Sequence, residues 1–408
     1  MALAAQEAGA EYAPGLEERF GPYFRPEHRA LRETVREVVE RHLKPHAQQW
    51  EKAGGFPPDV FRTLGEYGLL GLRVPEILGG AGLDWFSEIV FIEELHRCGM
   101  GGLPMGVMVH TDMALPVLVR FGTPEQHRRY LPAALTGKKV LAIAMTEPWA
   151  GSDLAGIRTV ARRVEGGWVL DGSKTFITNG AIADLLVVAA KTDPPAGRSG
   201  ISLFLVERGM PGFRTVRTLD KVGMWSSDTG ELLFDQCFVP DGHLLGELHR
   251  GFYHLMWELE GERLAIAAAA VAMGQEALDQ TLEYVRTRHA FGQPIGRFQA
   301  LQHRIAEMAA ALEAARQLVY AAAWRVEQGR RAVKEIMMAK LVATRTAFEV
   351  ADEALQMHGG YGYTMEYDVQ RIWRDLRLYR IGGGTDEMLR EVISREMGLR
   401  PSRNRETA

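Results

Sequence analysis

Gly166-Gly167-Trp168-Val169-Leu170-Asp171-Gly172-Ser173-Lys174-Thr175-Phe176-Ile177-Thr178-Asn179-Gly180 is the stretch that decides the fold class. Its two apolar runs, Trp168 to Leu170 and Thr175 to Thr178, are rich in β-branched and aromatic residues. The dipeptides around them, Gly166-Gly167, Asp171-Gly172 and Asn179-Gly180, supply the positive φ that tight turns need. Short runs of the same texture follow at Leu185 to Ala189, Ile201 to Val206 and Glu231 to Val239, with Pro211-Gly212 as a further turn. From about residue 140 to 246 the chain therefore reads as strands of an antiparallel β-sheet or barrel.

Outward from this region the period changes from two to three and four. On the N-terminal side, Leu31, Val35, Val38 and Val39 form one helical stripe, and Val60, Leu64 and Leu69 begin another. Thr123 before Pro124 predicts an N-cap followed by a proline in the first turn. On the C-terminal side, Leu301, Ile305, Met308, Leu312, Ala315, Val319, Ala322 and Val326 keep one bundle stripe throughout. The alanine-rich stretch Arg263 to Thr287 allows close approach of helix axes, and Val333 to Met357 predicts a third long helix ended by Gly359-Gly360. The expectation is an α+β chain, mainly α. Residues 1–25 form an N-terminal arm, 26–139 a helical domain, 140–246 a middle β-barrel domain and 247–408 a C-terminal four-helix bundle.

Composition narrows the function classes. The 408 residues are 46% hydrophobic and 25% charged, which marks a globular chain. Lys and Arg total 48 against 52 Asp and Glu, a net charge of −4 that offers no field for a phosphate backbone, so no nucleic-acid partner is expected. The longest apolar run found, Leu264 to Met273, falls short of the roughly 20 residues of a bilayer span, so no membrane insertion is expected. Cys98 and Cys237 show no CxxC spacing, and His42 and His46 flank Pro45 with no third ligand, so no metal site is expected. Glu7, Glu11, Glu17 and Glu18 stand where a transit peptide would avoid acids, and a cytoplasmic location is expected.

Several separated motifs then converge. Ala144-Met145-Thr146-Glu147-Pro148-Trp149-Ala150-Gly151-Ser152-Asp153 is a polar, glycine-interrupted loop leaving a strand, the kind that can lay N–H groups and a hydroxyl against a heterocycle. Taken alone it is an ordinary turn with an Asp cap. Phe176 and Thr178, two apart on a strand, share a face. Lys221 to Leu232, Arg288-x-x-Phe291-Gly292, Gln299, Gln356-Met357-His358-Gly359-Gly360 and Ile381-Gly382-Gly383-Gly384-Thr385-Asp386-Glu387 complete the set. Together they resemble the acyl-CoA dehydrogenases, from about Arg25 to Arg400.

That resemblance implies FAD as cofactor and oxidation of an acyl thioester to the trans-2-enoyl product, the β-hydrogen leaving as hydride to flavin N5. It implies that Met145, Thr146, Ser152, Phe176 and Thr178 hold the flavin, with Thr385 and Glu387 also on the cofactor. Arg288, Phe291 and Gln299, with the Gln356 to Gly360 loop, reach the cofactor of a neighbouring subunit. A homodimer is then the minimum and a dimer of dimers the expected assembly. Ser152, Tyr253, Arg263, Gly383 and Gly384 are implied to contact the substrate, which is an acyl-CoA or an acyl-carrier-protein thioester. An electron-transfer flavoprotein is implied as electron acceptor. The segment Lys221 to Leu232 receives no catalytic role.

Many relatives place the catalytic Glu near the C-terminus, where this chain has Gly383. The isovaleryl and long-chain branches instead carry it on a helix beginning Glu-Arg-Leu, which points to Glu262-Arg263-Leu264 and assigns Glu262 as the base. Glu258 and Glu260 are its rivals, and Glu258 on the same helical face would raise the Glu262 pKa by its charge. The Gly383 N–H is left to face the thioester oxygen. Gly382 leaves room near Cα and Cβ, and Met105 and Met108 are candidates for the distal channel. Medium to long straight chains are the first expectation, with a branched or specialised acyl group next. A flavin monooxygenase or a catalytically silent acyl-binding protein are the readings of other classes.

Overall fold

The computed structural model describes residues 23–399; the acidic N-terminal positions named above and the last residues lie outside them. The helical N-terminal part comprises α1 (Pro26–Val38), α2 (Ala47–Ala53), α3 (Asp59–Glu66), α4 (Trp85–Leu95), α5 (Gly102–Phe121) and α6 (Pro124–Leu135). Val35 and Val38 of the expected stripe are fully buried. Asp84 caps α4 by accepting from the Ser87 N–H at 2.9 Å and also meets His28 Nε2 at 3.0 Å, so one carboxylate starts α4 and locks α1 onto it. At Thr123 the expected cap is present as a capping box with Gln126, whose amide also donates to the Gly242 and Leu244 carbonyls at 2.9 Å.

The longest apolar element is α5 rather than the Leu264 to Met273 run. This 20-residue helix is long and apolar enough to cross a bilayer, yet 83% of its apolar window is buried inside the protein. It is a core helix. Its middle, Val109–Ala114, is wound as a π-helix, and Pro116 just beyond lacks the N–H that would answer the Asp112 carbonyl.

The middle part is an eight-stranded sheet: β1 (Leu141–Ala144), β2 (Val160–Val164), β3 (Gly167–Thr178), β4 (Leu185–Lys191), β5 (Ile201–Glu207), β6 (Phe213–Thr218), β7 (Thr229–Pro240) and β8 (Leu244–Leu245). The pairing path runs β6-β7-β3-β2-β4-β5-β8 with β1 on β4. It is mixed rather than wholly antiparallel: β1 runs parallel to β4, from Leu141 opposite Leu185 to Ala144 opposite Val188. Asp171-Gly172 is not a turn. The two expected strands are one, β3, and the register against β7 shifts between Leu170 and Gly172 and again between Lys174 and Ile177. Gly172 has φ +150°, and a Cβ there would meet the Thr159 hydroxyl at 2.4 Å.

The last part comprises α7 (Gly251–Thr287), a two-stranded ribbon of β9 (His289–Ala290) and β10 (Gln293–Pro294), α8 (Gln299–Glu327), α9 (Val333–His358), α10 (Val369–Tyr379) and α11 (Asp386–Glu396). α9 packs on α7, α8, α10 and α11. The alanines at 265, 267, 268, 269 and 270 are buried, which lets α7 lie close to its neighbours. α7 starts at Gly251, so Glu262 lies well inside it and not in a first turn.

Candidate active site

Two glutamates one turn apart on α7, Glu258 and Glu262, are 2% and 5% exposed. Both oxygens of Glu258 and the Oε2 of Glu262 have no hydrogen-bond partner. Burial lifts Glu262 above the ordinary carboxylate range, with Arg263 and Lys340 pulling the other way. Burial lifts Glu258 further, and the Glu262 charge adds to it. The expected direction of influence is therefore reversed: the Glu262 charge raises Glu258. Glu260 is half-buried and faces Arg331 and Glu396 instead.

The loop between α10 and α11 closes over Glu262. Gly383, at φ +65°, has such close neighbours that a Cβ would stand 2.7 Å from the Ile266 methyl and 3.0 Å from Glu262 Oε1. A carboxylate at 383 and a carboxylate at 262 would thus compete for one space. Arg263 Nε donates to the Gly383 carbonyl at 2.7 Å, and Lys340 Nζ donates to the Gly382 and Gly384 carbonyls at 2.5 and 2.6 Å. With its carbonyls turned to these cations, the loop is fixed without spending the Gly383 N–H. Lys340 is fully buried and its pKa is pushed down to about 7 by that burial, against the Glu262 charge. No sequence signal marked Lys340, since an isolated lysine on a long helix reads as a solvated one.

Thr385 caps α11, accepting from the Met388 N–H at 3.4 Å, and Glu387 is exposed and paired with Arg390 at 3.3 Å. Tyr253 is exposed, with its hydroxyl 3.4 Å from Ser199. It lies nine residues before Glu262 on α7, about 14 Å along the axis at the usual rise.

The β-strand residues form a second group. The Thr146 hydroxyl donates to the Thr175 carbonyl, and the Thr175 N–H donates back to the Thr146 carbonyl at 3.0 Å, which joins the loop after β1 to β3. The Thr146 hydroxyl proton is therefore already engaged. Lys174 Nζ donates to the Met145 carbonyl at 3.0 Å and to Glu147 Oε1 at 2.8 Å, both side chains being fully buried. Glu147 also accepts from the Arg158 and Thr159 N–H groups, so this pair is saturated. Sequence reasoning quoted both residues inside motifs and missed their partnership. Phe176 is 68% exposed at φ +59°, with Ile177 buried and Thr178 half-buried, so Phe176 and Thr178 stand on the open side together. Ser152 is exposed in the same loop as Trp149.

A third group lies far off. Arg288 follows α7 directly, with its guanidinium 5.2 Å from the Tyr361 ring, beside a cavity of about 400 Å³ that Gly359 and Gly360 also line. Phe291 is 94% exposed and packed edge-on to Phe298, Gln299 is exposed at the start of α8, and Gln356 is exposed near the end of α9. Arg288 is 26 residues beyond Glu262 on one helix, about 39 Å away along its axis. Within one protomer these residues do not meet the Glu262 group. Met105 and Met108 are core residues of α5. Cys98 and Cys237 are free and buried, and no metal-binding cluster occurs among the described residues.

Three family models cover this geometry end to end: the acyl-CoA dehydrogenase N-terminal domain over residues 25–138, the middle domain over 142–237 and the C-terminal domain over 249–398. The chain belongs to the acyl-CoA dehydrogenase family. It is 43% identical over 370 residues to the mitochondrial isovaleryl-CoA dehydrogenase of Solanum tuberosum, covering 90% of this chain and 89% of that one. To the mitochondrial long-chain specific acyl-CoA dehydrogenase of Mus musculus it is 41% identical over 376 residues, covering 92% and 87%. The crystal structure of an acyl-CoA dehydrogenase from Geobacillus kaustophilus superposes with a TM-score of 0.90 at 43% identity, covering 93% of this chain and all of that one. As a member of this acyl-CoA dehydrogenase family the chain is an FAD-dependent oxidoreductase, and similar solved structures include FAD complexes. The residues fit that cofactor. Exposed aromatic rings at Phe176 and Phe291, both at positive φ, are surfaces a planar ring system or its adenine end would cover.

Proposed function

We propose that this enzyme oxidises an acyl-CoA at Cα and Cβ to the trans-2-enoyl thioester, with Glu262 as the base. Support comes chiefly from one observation: the Glu262 carboxylate occupies the space that a side chain at 383 would fill. Glu262 takes the α-proton as the α C–H bond breaks, and the β-hydrogen leaves with its electron pair as the double bond forms. Bound FAD, held by Thr146, Phe176, Thr178 and the loop around Met145 and Ser152, supplies the two-electron acceptor. The Gly383 N–H faces the thioester oxygen and stabilises the negative charge that develops there, while Arg263 and Lys340 hold the loop from its carbonyl side. Burial raises the Glu258 and Glu262 carboxyls above the ordinary carboxylate range, and the Glu262 charge raises Glu258 further.

The 39 Å between Glu262 and Arg288 supports a site completed by a second copy, whose Arg288, Phe291, Gln299 and Gln356 to Gly360 loop reach the diphosphate of the first copy's cofactor. A dimer of dimers follows as the assembly, and an electron-transfer flavoprotein as the acceptor of the reduced enzyme's electrons. A Cβ at Gly382 would first meet Leu378, at 3.8 Å, which supports room beside Cα and Cβ, and the likeness to the long-chain specific enzyme of Mus musculus supports medium to long straight chains. The pantetheine arm is common to CoA and acyl-carrier-protein thioesters, and the location proposed is cytoplasmic.

Glu262→Gln tests the reading. Anaerobic mixing with acyl-CoA should bleach the flavin about 10² to 10⁴ times more slowly than in the wild type, with the flavin still bound. Bleaching at the wild-type rate would remove Glu262 from the mechanism and favour a flavin monooxygenase, which needs no carboxylate. A colourless protein would favour a silent acyl-binding role.

A further inference from the structure

On α4 every residue is buried, including three glutamates. Two of them are answered: Glu93 and Glu94 each meet Arg32 at 2.5 Å, and Glu94 also meets Arg36 at 3.0 Å. Glu88 is not matched in this way. It is 3% exposed, its Oε1 has no hydrogen-bond partner, and it lines a cavity of about 330 Å³. Arg73, from the segment before α4, lines the same cavity with its Nη1 unpartnered and its guanidinium 3.5 Å over the Trp85 ring. Asp112 of α5 is 2% exposed; Thr111 donates to its Oδ2 at 2.8 Å, and its Oδ1 is unpartnered. Buried polar atoms are normally paired, and Glu88 Oε1 and Arg73 Nη1, unpartnered on two separate segments that line one cavity, point to an absent hydrogen-bonding occupant, with Asp112 beside Glu88.

The cavity reaches α7 at Trp257, within about two helical turns of Glu262. Leu70, Leu115 and Val119 make an apolar side, Thr111 and Arg120 add polar groups, and Trp257 of α7 flanks it. Trp257 stands five residues before Glu262, about 7.5 Å along the helix axis, and Glu258 with both oxygens unpartnered lies between them. An all-hydrocarbon tail entering there would desolvate Glu88 and Arg73 and return nothing. A tail with a hydrogen-bond donor would satisfy the carboxyl oxygens while its methylenes lie on the leucine side.

We propose that this cavity is a subsite for the distal end of an acyl thioester whose chain carries a hydrogen-bond donor, a hydroxyl or an ammonium group, recognised by Glu88 beside Arg73, with Asp112 behind Glu88. The inference rests on the dehydrogenase reading and specifies its substrate class. Burial lifts Glu88 and Asp112 above the ordinary carboxylate range; the charge and hydrogen bond of Asp112 raise Glu88 further, the Glu88 hydrogen bond lowers Asp112, and Arg73 opposes both, so the cluster can donate as well as accept. That suits a hydroxyl, which does both.

The test compares acyl-CoAs of equal chain length ending in methyl, hydroxyl or ammonium, by anaerobic flavin bleaching. Binding of the matching 2-enoyl thioesters is followed in parallel through the flavin spectrum, independently of turnover. A donor-ended chain is expected to exceed the methyl-ended one about tenfold in kcat/KM and in affinity, the scale of one well-made hydrogen bond to a charged group. Glu88→Leu should invert that order, whereas Glu88→Gln should retain the hydroxyl preference and lose the ammonium one. Equal or better use of the methyl-ended chain, with a ratio unmoved by Glu88→Leu, overturns the subsite and leaves the dehydrogenase intact. Bleaching by none of the three removes the dehydrogenase reading, and the subsite with it.

Discussion

Two pairs of buried ionisable groups on this enzyme obey opposite rules. At the loop after β1, Glu147 and Lys174 answer each other at 2.8 Å, and backbone N–H groups take up the remaining carboxylate capacity. Despite its burial, Glu147 is held below the ordinary carboxylate range by Lys174 and those N–H groups. On α7, Glu258 and Glu262 are equally buried, have three oxygens without partners and are both raised. The first arrangement removes a charge from chemistry and spends it on holding a loop. The second keeps a proton acceptor ready at the cost of stability.

The largest expected effect breaks the saturated pair. Lys174→Met leaves Glu147 buried and uncompensated, which should cost about 3 to 5 kcal/mol in urea unfolding, while Glu147→Gln with Lys174→Met recovers most of it. Unchanged stability in the single variant would mean the pair is no anchor. Next comes relocation of the base. Glu262→Gly combined with Gly383→Glu puts a carboxylate back into the same space, and flavin bleaching should recover about tenfold over Glu262→Gly alone, a partial rescue because residue 383 sits at φ +65°. Equal rates in the two variants would separate the two positions in space.

The third prediction sharpens the orphaned side through pH. Glu258 has a folded pKa raised above its ordinary 4.5, so between those values the folded state binds the extra proton and stability falls as pH rises. Glu258→Gln cannot ionise, and its advantage in unfolding free energy over the wild type should grow above pH 4.5 by up to about 1.4 kcal/mol per pH unit. For Glu262 the same raised pKa sets activity: it must be ionised to accept a proton, so flavin bleaching should slow as pH falls through a value above 4.5. A stability difference independent of pH would show that Glu258 is not kept protonated by the fold.

How far the sequence disclosed this follows from what is local. The long helices were legible because their apolar stripes keep one period over many turns, and Val333 to Met357 differs from the observed α9 by one residue. β1 was legible only as the strand that the Ala144 to Asp153 loop leaves: Leu141–Ala144 is buried at every position and shows no alternation to bound it, and its parallel pairing with β4 joins segments distant in the chain. β6, an edge strand with Arg214 and Arg217 exposed, reads as a polar loop. Glu262 and Gly383 were legible through a motif and its gap. Lys340, the Glu147–Lys174 pair and the Arg73, Glu88 and Asp112 cluster were not, because each is made by segments that only the fold brings together.

The smallest effect tests the saturated side where no charge is involved. Thr123 accepts from the Gln126 N–H at 3.2 Å, and Gln126 Oε1 accepts from the Thr123 N–H at 2.9 Å, so each satisfies the other's orphan donor at the start of α6. Thr123→Ala removes one of these and should lower unfolding stability by about 1 kcal/mol. Gln126→Ala should cost more, because its amide also ties α6 to the Gly242 and Leu244 carbonyls beside β8. Both variants should bleach flavin at the wild-type rate, since the cap touches none of the groups around Glu262. A slowed rate in either would show that the seam between α6 and the sheet transmits to the reaction centre, and the division between groups that hold the fold and groups that wait for a ligand would fail at its least charged point.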